Sequence, residues 1–409
     1  MKTPIWTGTL ILLIFSMAAD AASGVQLSTI QEDEAPLDLK SIPISDWLNA
    51  GELSEIPWDF RVSEPSLRVD QRIEVAYTIS FRGRDLNRIG NTHELFFISR
   101  VSSPDGEWLE EPSVSRPVEQ ALSPHGQTQF FMRVCLTPGD YILWVVLYHR
   151  ENGKHNLAKR RIKVSELKRD PLPLLYDNTP LVEFPEAADS DQAFAFVKGH
   201  LNLTVHNRHP LEVQLISTLN PPVQWTGRAR VLRRQSDVTV GTVAALSQIQ
   251  LDEGALSITG LDLVRREVLY NQAGVRGVDW PTFTQALKKA QTPAVSAKAL
   301  QESKNNAAFF RAFLSGRIEG ESSSEDAMRI IIVVTSSQLF ERGSDLAPLQ
   351  IEGDCRCKIY HLRFRLNNND VFDEIERIIR PLHPRTFDLS TAQDLRKAIA
   401  EIVGDLEKL

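Results

Sequence analysis

The six residues Arg329–Val334 read RIIIVV, and this stretch decides the fold of the protein. Five branched apolar residues follow the arginine with no polar side chain between them. A run of this kind is typical of a strand that is buried on both faces of a parallel sheet. The segment Lys358–Phe364, which reads KIYHLRF, predicts a second strand of the same sheet.

The segments on either side of this run alternate between strand and helix patterns. The predicted strands are Leu201–Val205, Leu211–Ile216, Ala255–Asp262 and Glu267–Asn271. One predicted helix runs through Ala244–Leu246, and two others cover Thr284–Ala290 and Ala297–Leu314. Further on, Asn369 or Asp370 is predicted to cap a helix that stops at Pro381, and Ser390 with Gln393 predicts a capping box for the last helix. This alternation over residues 196–409 predicts a doubly wound, mostly parallel, Rossmann-like α/β domain.

Residues 56–166 carry a different pattern, in which short strands alternate apolar and polar side chains. Turn signals such as Asn152-Gly153 separate the strands, so this region predicts an antiparallel β-sandwich. The stretch Leu136–Tyr141 resembles the turn before a late strand of immunoglobulin-like bacterial domains, and an immunoglobulin-like sandwich is therefore expected. Four prolines mark residues 167–195 as a linker between the two domains.

The N-terminus predicts export. Lys2 precedes an apolar run around Leu10–Phe15, and Ala19-Asp20-Ala21 fits a signal-peptidase site, so residues 1–21 are predicted to be a signal peptide. The alternative is an uncleaved membrane anchor, but the run is shorter than the roughly 20 residues that a span needs. We expect a periplasmic or extracellular protein with a polar, flexible lead-in over residues 22–55.

The composition excludes several classes of protein. The chain of 409 residues has 53 acidic and 46 basic side chains, which gives a net charge of −7 and argues against a nucleic-acid binder. No stretch after the signal peptide is apolar enough to span a membrane. Three cysteines cannot support a disulfide scaffold. Cys135, Cys355 and Cys357 are interpreted as small buried residues, although the sequence leaves open whether they are free or bridged.

Two stretches carry a resemblance to a known family. Ala255–Val268 reads ALSITGLDLVRREV, and Gly353–Phe364 reads GDCRCKIYHLRF. On these stretches, the region Ala195–Leu409 resembles von Willebrand factor type A domains, in particular the VWFA-related exported proteins of acidobacterial type. The resemblance implies a type A-like α/β domain.

The same resemblance implies a place for a metal-ion-dependent adhesion site, which in the family holds Mg²⁺ through a D-x-S-x-S motif and a later Asp. Here the motif falls on Thr218, Asn220 and Pro222, or one residue earlier on Ser217, Leu219 and Pro221, and the later Asp falls near Ser336. These positions carry no carboxylate, and a hard cation needs anionic oxygen ligands. The site is therefore expected to be degenerate, with no metal and no cofactor.

Ligands of open α/β sheets bind at the carboxyl ends of the strands. The candidate partner-binding residues at this edge are Ser217, Thr218, Asn220, Trp225, Ser336, Ser337 and Asp345. The chain has none of the common catalytic motifs, so we expect a non-enzymatic adhesion or scaffold protein whose partner is another protein. Two alternatives stay open: a metal-dependent adhesin with an atypical site, and a secreted hydrolase with a site near His361 or the 200–209 hairpin.

Overall fold

A computed structural model of the chain describes residues 23–25, 27–29, 39–89, 94–117, 126–185, 197–220, 229–292, 302–320, 326–336, 340, 343–351, 357–365 and 373–409. None of the helices in these ranges is long and apolar enough to cross a bilayer. The predicted signal peptide, residues 1–21, lies outside the described residues.

The first half of the chain forms two six-stranded sheets. The first sheet contains β1 (Ser23–Val25), β4 (Asp59–Val62), β5 (Ser66–Leu67), β6 (Ile73–Arg82), β9 (Gln127–Leu136) and β12 (Val182–Glu183). The second contains β2 (Leu27–Thr29), β3 (Leu53–Ser54), β7 (Leu95–Ser102), β8 (Ser113–Pro117), β10 (Gly139–His149) and β11 (His155–Val164). Neighbouring strands are antiparallel, except that β1 runs parallel to β9.

Alternating apolar residues of the two sheets meet in one core. On β6, the side chains of Ile73, Val75 and Tyr77 point inward and are buried, whereas those between them are only half-buried. The rings of Phe97 on β7 and Phe130 on β9 lie 4.7 Å apart, so the core joins one sheet to the other. The alternation of apolar and polar residues in the sequence therefore matches the alternation of buried and half-buried side chains in the strand.

The segment predicted as a flexible lead-in, 22–55, contains regular structure among its described residues. The helix α1 (Ile44–Ala50) lies on the outer side of the second sheet, where Trp47 stacks on His155 with 3.8 Å between the ring centroids. Ile42 is buried against Ile98 in the same small cluster. The lead-in is held because it carries enough apolar surface to cover this sheet. The second helix, α2 (Gly83–Ile89), follows β6 directly.

The second half is built on a six-stranded sheet. Its strands are β14 (Leu211–Thr218), β16 (Gly254–Asp262), β17 (Glu267–Gln272), β18 (Met328–Ser336), β19 (Cys357–Phe364) and β20 (Arg385–Leu389), in the spatial order β17-β16-β14-β18-β19-β20. All neighbours are parallel except β16 and β17. The strands β13 (Leu203–Val205) and β15 (Ile249–Leu251) form a separate parallel pair.

Helices cover both faces of this sheet. One face packs against α3 (Ala229–Leu246), α4 (Trp280–Gln291) and α7 (Ala392–Leu406), and the other against α5 (Asn306–Glu319) and α6 (Glu374–Ile379). The RIIIVV stretch forms the body of β18, and the residues from Ile330 to Val334 are all buried. The prediction of a strand that is buried on both faces is confirmed.

Several helix starts differ from their predictions; α4, for example, begins at Trp280 and not at the predicted Thr284. The last helix is capped by Thr391, whose hydroxyl accepts from the Asp394 backbone N–H while the Asp394 carboxylate accepts from the Thr391 backbone. This capping box lies one residue beyond the predicted Ser390 and Gln393, because the Asp394 side chain, and not that of Gln393, accepts the backbone hydrogen bond at the start of the helix. The helix α6 begins after Asp373, and the predicted caps Asn369 and Asp370 lie outside the described residues.

The stretch between the halves packs against both of them. Its residue Asp170 receives two hydrogen bonds from the fully buried Arg396 on α7, at 2.6 and 2.5 Å. Tyr176 donates its hydroxyl to the carbonyl of Gln71, 2.7 Å away in a turn of the first half. Gln71 has a positive φ of 67° and also donates to the Ala392 carbonyl, at 3.0 Å. Residues 170–176 are therefore a structured junction.

The two halves of the chain approach each other so closely at one position that a glycine is required there. Gly241 of α3 faces Val69, and a Cβ at this position would come within 2.9 Å of the Val69 Cβ. A side chain at this place on the helix would force the turn of the first half away.

Candidate binding edge of the α/β sheet

Four parallel strands end side by side, and we call this border the carboxyl edge. Thr218 at the end of β14 is in register with Leu261 of β16, and Ser217 with Val334 of β18. Ser336 at the end of β18 is in register with Phe364 of β19. The strand order changes direction between β14 and β18, and this is where open α/β sheets bind ligands.

The carboxyl edge holds a buried ionic cluster, made of Asn220, Asp262 and Arg265, which we call the Asp262 cluster. The Asp262 side chain is fully buried. Its Oδ1 accepts from Asn220 Nδ2 at 2.7 Å and from the Arg265 backbone N–H at 2.8 Å, and its Oδ2 accepts from Arg265 Nη1 at 2.6 Å. The Leu263 backbone N–H donates to the side-chain oxygen Oδ1 of Asn220. The carboxylate is therefore neutralised by a guanidinium of the same chain.

The local sequence explains this arrangement. The strand β16 ends at Asp262, and a tight turn leads to β17, with Arg266 at a positive φ of 58°. A turn of this length returns Arg265 over the carboxylate three residues before it. The second guanidinium nitrogen, Nη2, donates to the Thr292 carbonyl at 2.8 Å and fixes the side chain at its outer end.

The predicted metal positions supply only neutral oxygens. Ser217 and Thr218 are buried, and neither side-chain oxygen has a hydrogen-bond partner within the described part of the chain. Asn220 is committed to Asp262, and Pro222 lies outside the described residues. No group of three His, Cys, Asp or Glu side chains with metal-binding geometry occurs among the residues that the structure describes. The donor set does not fit the adhesion-type Mg²⁺ site.

A buried histidine lies on the same sheet. His361 on β19 is fully buried, with its Nε2 at 2.8 Å from Thr335 Oγ1 and 3.6 Å from Asp373 Oδ2. Burial, with a smaller effect of the Arg363 charge, lowers the pKa of His361 to about 3. The imidazole is therefore neutral at physiological pH and has no exposed surface with which to meet a substrate.

The second place proposed for a hydrolase, the 200–209 hairpin, borders an open groove of about 650 Å³. Among the residues that the structure describes, His200 lines this groove and no aspartate or glutamate does. His206 is exposed and bonded to Asp252 at 2.9 Å, and this hydrogen bond raises the pKa of His206. The described residues therefore bring no acid–base pair into the groove.

The structure brings some of the predicted edge residues together and separates others. Ser217, Thr218, Asn220 and Ser336 meet at the carboxyl edge, but their side chains are buried and shape the edge rather than project from it. Asp345 is exposed and bonded to Arg311 of α5 at 2.7 Å. Trp225 and Ser337 lie outside the described residues.

The residues missed by sequence reasoning are Asp262 and Arg265. The signal that could have found them is an acid–base pair with a spacing of three directly after a buried strand, within the stretch LDLVRR. The pairing with Asn220, 42 positions earlier in the chain, is visible only in the fold.

Two cysteines are described. Cys135 is free and buried, and burial raises the pKa of its thiol to about 12. Cys357 is disulfide-bonded, which corrects its interpretation as a small buried residue. It is the first residue of β19. Cys355 lies outside the described residues.

Comparison with known proteins gives only weak likenesses. No model of a known protein family matches the chain, and no curated protein matches it. The ArnB paralog VWA2 from Sulfolobus acidocaldarius is similar at 11% identity and a TM-score of 0.26, over 65% of this chain and 51% of that one. The chain thus spans about half the length of that protein.

Two further solved structures show similarity of the same order. The Northeast Structural Genomics Consortium target SoR45 is 15% identical with a TM-score of 0.17, over 29% of this chain and 95% of its own. A Bacteroides uniformis beta-glucuronidase is 8% identical with a TM-score of 0.18, over 71% of this chain and 36% of its own. With TM-scores below 0.5, none of these likenesses carries an argument about the fold or the function of this chain.

Proposed function

We propose that this is an exported, non-enzymatic interaction protein, in which a von Willebrand type A-like domain binds another protein at its carboxyl edge without a metal. The observation that carries the proposal is the Asp262 cluster. Its guanidinium balances the buried carboxylate of this edge at 2.6 Å, and neutral hydroxyls occupy the remaining positions. In a type A domain with a metal site the bound cation supplies the positive charge at this edge, and here Arg265 supplies it.

The topology supports the assignment of the domain. Numbered within the sheet, the strands follow the order 3-2-1-4-5-6, with an antiparallel third strand and helices on both faces. This is the order of a doubly wound sheet, whose ligand site lies between strands one and four. Those strands are β14 and β18, which carry Thr218 and Ser336. The two facing sheets of the first half support an immunoglobulin-like sandwich that presents this domain.

Export rests on the tripartite pattern of residues 1–21. Cleavage after Ala21 leaves a mature chain without an N-terminal anchor, in the periplasm or outside the cell. Expression of the full chain in a bacterium, followed by fractionation and N-terminal sequencing, tests this step. A mature protein that begins at residue 22 outside the cytoplasm is expected, and an intact N-terminus in the membrane fraction supports the anchor instead.

Capture of partners from periplasm and culture medium tests the binding function. The mature chain is immobilised, and capture is compared in Mg²⁺ and in a chelator. We expect the same partner in both conditions, and loss of capture in Arg365→Glu, because Arg365 follows β19 at the carboxyl edge and is partly exposed. Arg161→Glu is the matched control, since Arg161 is an exposed arginine of the first half.

Calorimetric titration with Mg²⁺, Ca²⁺ and Mn²⁺ tests the metal-free part of the proposal separately. We expect no binding at micromolar concentrations, because one neutralised carboxylate cannot compensate a divalent charge. Micromolar binding, or capture that disappears in the chelator, would favour the metal-dependent adhesin with an atypical site.

A further inference from the structure

The helix α1 covers an apolar part of the second sheet of the first half. Beneath it lie three side chains that are each 2% exposed, Ile98, Val146 and Leu157, and the partly buried Tyr148. These residues belong to β7, β10 and β11, so the covered surface crosses three neighbouring strands, and we call it the α1 face. An apolar surface of this kind would meet water if α1 moved away, and such surfaces are typical of interaction sites.

The contacts of α1 with this face are apolar. Ile44, Trp47 and Leu48 have the spacing of one helix face and pack on it, and Ile42, just before the helix, is 7% exposed. No residue of α1 is fully buried, and no side chain caps its first turn. Within the described part of the chain, no hydrogen bond or ion pair joins α1 to the sheet. A helix of seven residues is not stable alone in water, so the face supports it.

The segment directly after α1 is anchored by polar contacts. The side chain of the buried Asn156 exchanges two hydrogen bonds with the Ile56 backbone, at 2.8 and 2.7 Å. The carboxylates of Glu52 and Glu55 each accept from a backbone N–H of β11 at 2.8 Å. The short strand β3 adds ladder pairing with the same strand. Residues 52–56 are therefore fixed to β11.

Gly51 joins the anchored segment to α1. Its φ of 95° lies in the region that favours glycine, and a Cβ at this position would meet no atom within 4 Å. Rotation of the backbone here moves α1 and leaves the contacts of residues 52–56 in place. A firmly bound segment and a helix held by apolar contacts thus meet at one glycine.

We propose that residues 39–50 are a displaceable strap, and that the α1 face beneath them is a docking surface for an amphipathic helix of a partner protein. The seating of α1 defines the helix that fits: aliphatic, tryptophan and leucine side chains at positions i, i+3 and i+4. A partner helix longer than seven residues is more stable and covers more of the face, so it displaces the strap. The inference is independent of the function proposed for the carboxyl edge.

A peptide added to the mature chain tests the docking surface. The probe is a fluorescently labelled LKSIPISDWLNAG, the sequence of residues 39–51, and its binding is followed by anisotropy. Because the strap of the chain competes at a high effective concentration, we expect the peptide to bind Trp47→Ala at least tenfold more tightly than the unsubstituted chain. Asn49→Ala is the matched control, since Asn49 is exposed on α1, and it should change the affinity less than twofold.

A second variant and hydrogen exchange test the face and the strap separately. His155→Ala removes the ring on which Trp47 stacks and keeps the backbone N–H that Glu55 accepts, so in the Trp47→Ala chain it should weaken peptide binding at least fivefold. Hydrogen exchange followed by mass spectrometry reports the opening of the strap. In the unsubstituted chain, we expect the amides of residues 44–50 to exchange at least tenfold faster than those of β11.

Three results would overturn the proposal. Exchange of residues 44–50 as slow as that of β11 would show that α1 is a fixed part of the fold. Equal peptide affinity of the Trp47→Ala and unsubstituted chains, with native circular dichroism in both, would show that the peptide does not bind the α1 face. Equal binding of a scrambled peptide would show unspecific apolar adhesion in place of helix docking.

Discussion

Replacing Arg265 by glutamine tests whether the Asp262 cluster holds the carboxyl edge together. The substitution removes the guanidinium and leaves the fully buried Asp262 carboxylate with two donors, Asn220 Nδ2 and the backbone N–H of residue 265. The hydrogen bond to the Thr292 carbonyl is lost as well. The carboxylate is then a buried charge without a counter-charge in the cluster.

The size of the effect follows from the geometry. Removal of one partner from a buried ion pair costs about 3–5 kcal/mol, because the other charge stays desolvated. We expect Arg265→Gln to cost about 3 kcal/mol, near the lower end of this range. The carboxylate keeps two donors, and water can reach the site because the Arg265 side chain is 18% exposed. Asp262→Asn leaves the charge on the more exposed partner, and we expect it to cost about 1–2 kcal/mol.

The double variant distinguishes the pair from two separate contributions. With both charges removed, an amide at each position can still form a hydrogen bond, so we expect a total loss smaller than the sum of the single losses by about 2 kcal/mol. Urea unfolding of the mature chain, followed by tryptophan fluorescence and far-ultraviolet circular dichroism, gives the midpoint and the slope for each variant. A loss below about 1 kcal/mol in Arg265→Gln, or additive losses in the double variant, would refute the reasoning.

Three further predictions concern buried groups. Burial lowers the pKa of His361 from its ordinary value of 6.5 to about 3 in the folded chain. Below pH 6.5 the unfolded chain therefore binds one more proton than the folded chain, and the free energy of unfolding falls by about 1.4 kcal/mol per pH unit from pH 6 toward 4. Urea midpoints in His361→Gln should fall less steeply over this range, and an unchanged slope would contradict the assignment. The buried Cys135 thiol, with its pKa raised to about 12, should react with a thiol reagent only after unfolding, so rapid modification of the native protein would count against it. Asp170→Asn should cost about 3–5 kcal/mol because it leaves the fully buried Arg396 guanidinium without its counter-charge, and Arg396→Met should cost less, because the Asp170 carboxylate that it leaves is 16% exposed and still accepts from the Leu172 backbone N–H; equal thermal shifts would show that the pair is not the cause.

The sequence predicts the parts of the fold that depend on local pattern. RIIIVV is a central strand because five branched apolar residues cannot be exposed on either face, and Ile73 to Tyr77 alternate because one face of their sheet meets the core. Helix starts are predicted to within one residue where two acceptors compete, as Thr391 and Ser390 do. Such signals are contained in a few neighbouring residues.

The candidate site could be predicted only in part, because its decisive contacts join distant segments. Ser217 and Thr218 follow from the end of a strand, but the partner of Asp262 is Asn220, and no local pattern relates the two. The lead-in is held by the stacking of Trp47 on His155, more than a hundred residues apart. Contacts of this kind are set by the packing of whole elements, which the composition of a segment does not reveal.

A cation that is part of the chain behaves differently from one that is bound from solution. A bound metal leaves when its concentration falls, and a site that needs it is switched by the medium. Arg265 is fixed by the Asp262 carboxylate on one side and the Thr292 carbonyl on the other, and a guanidinium stays protonated throughout the physiological range. The charge of the Asp262 cluster is therefore constant, and under the proposed function a partner that recognises this edge would bind at any divalent cation concentration.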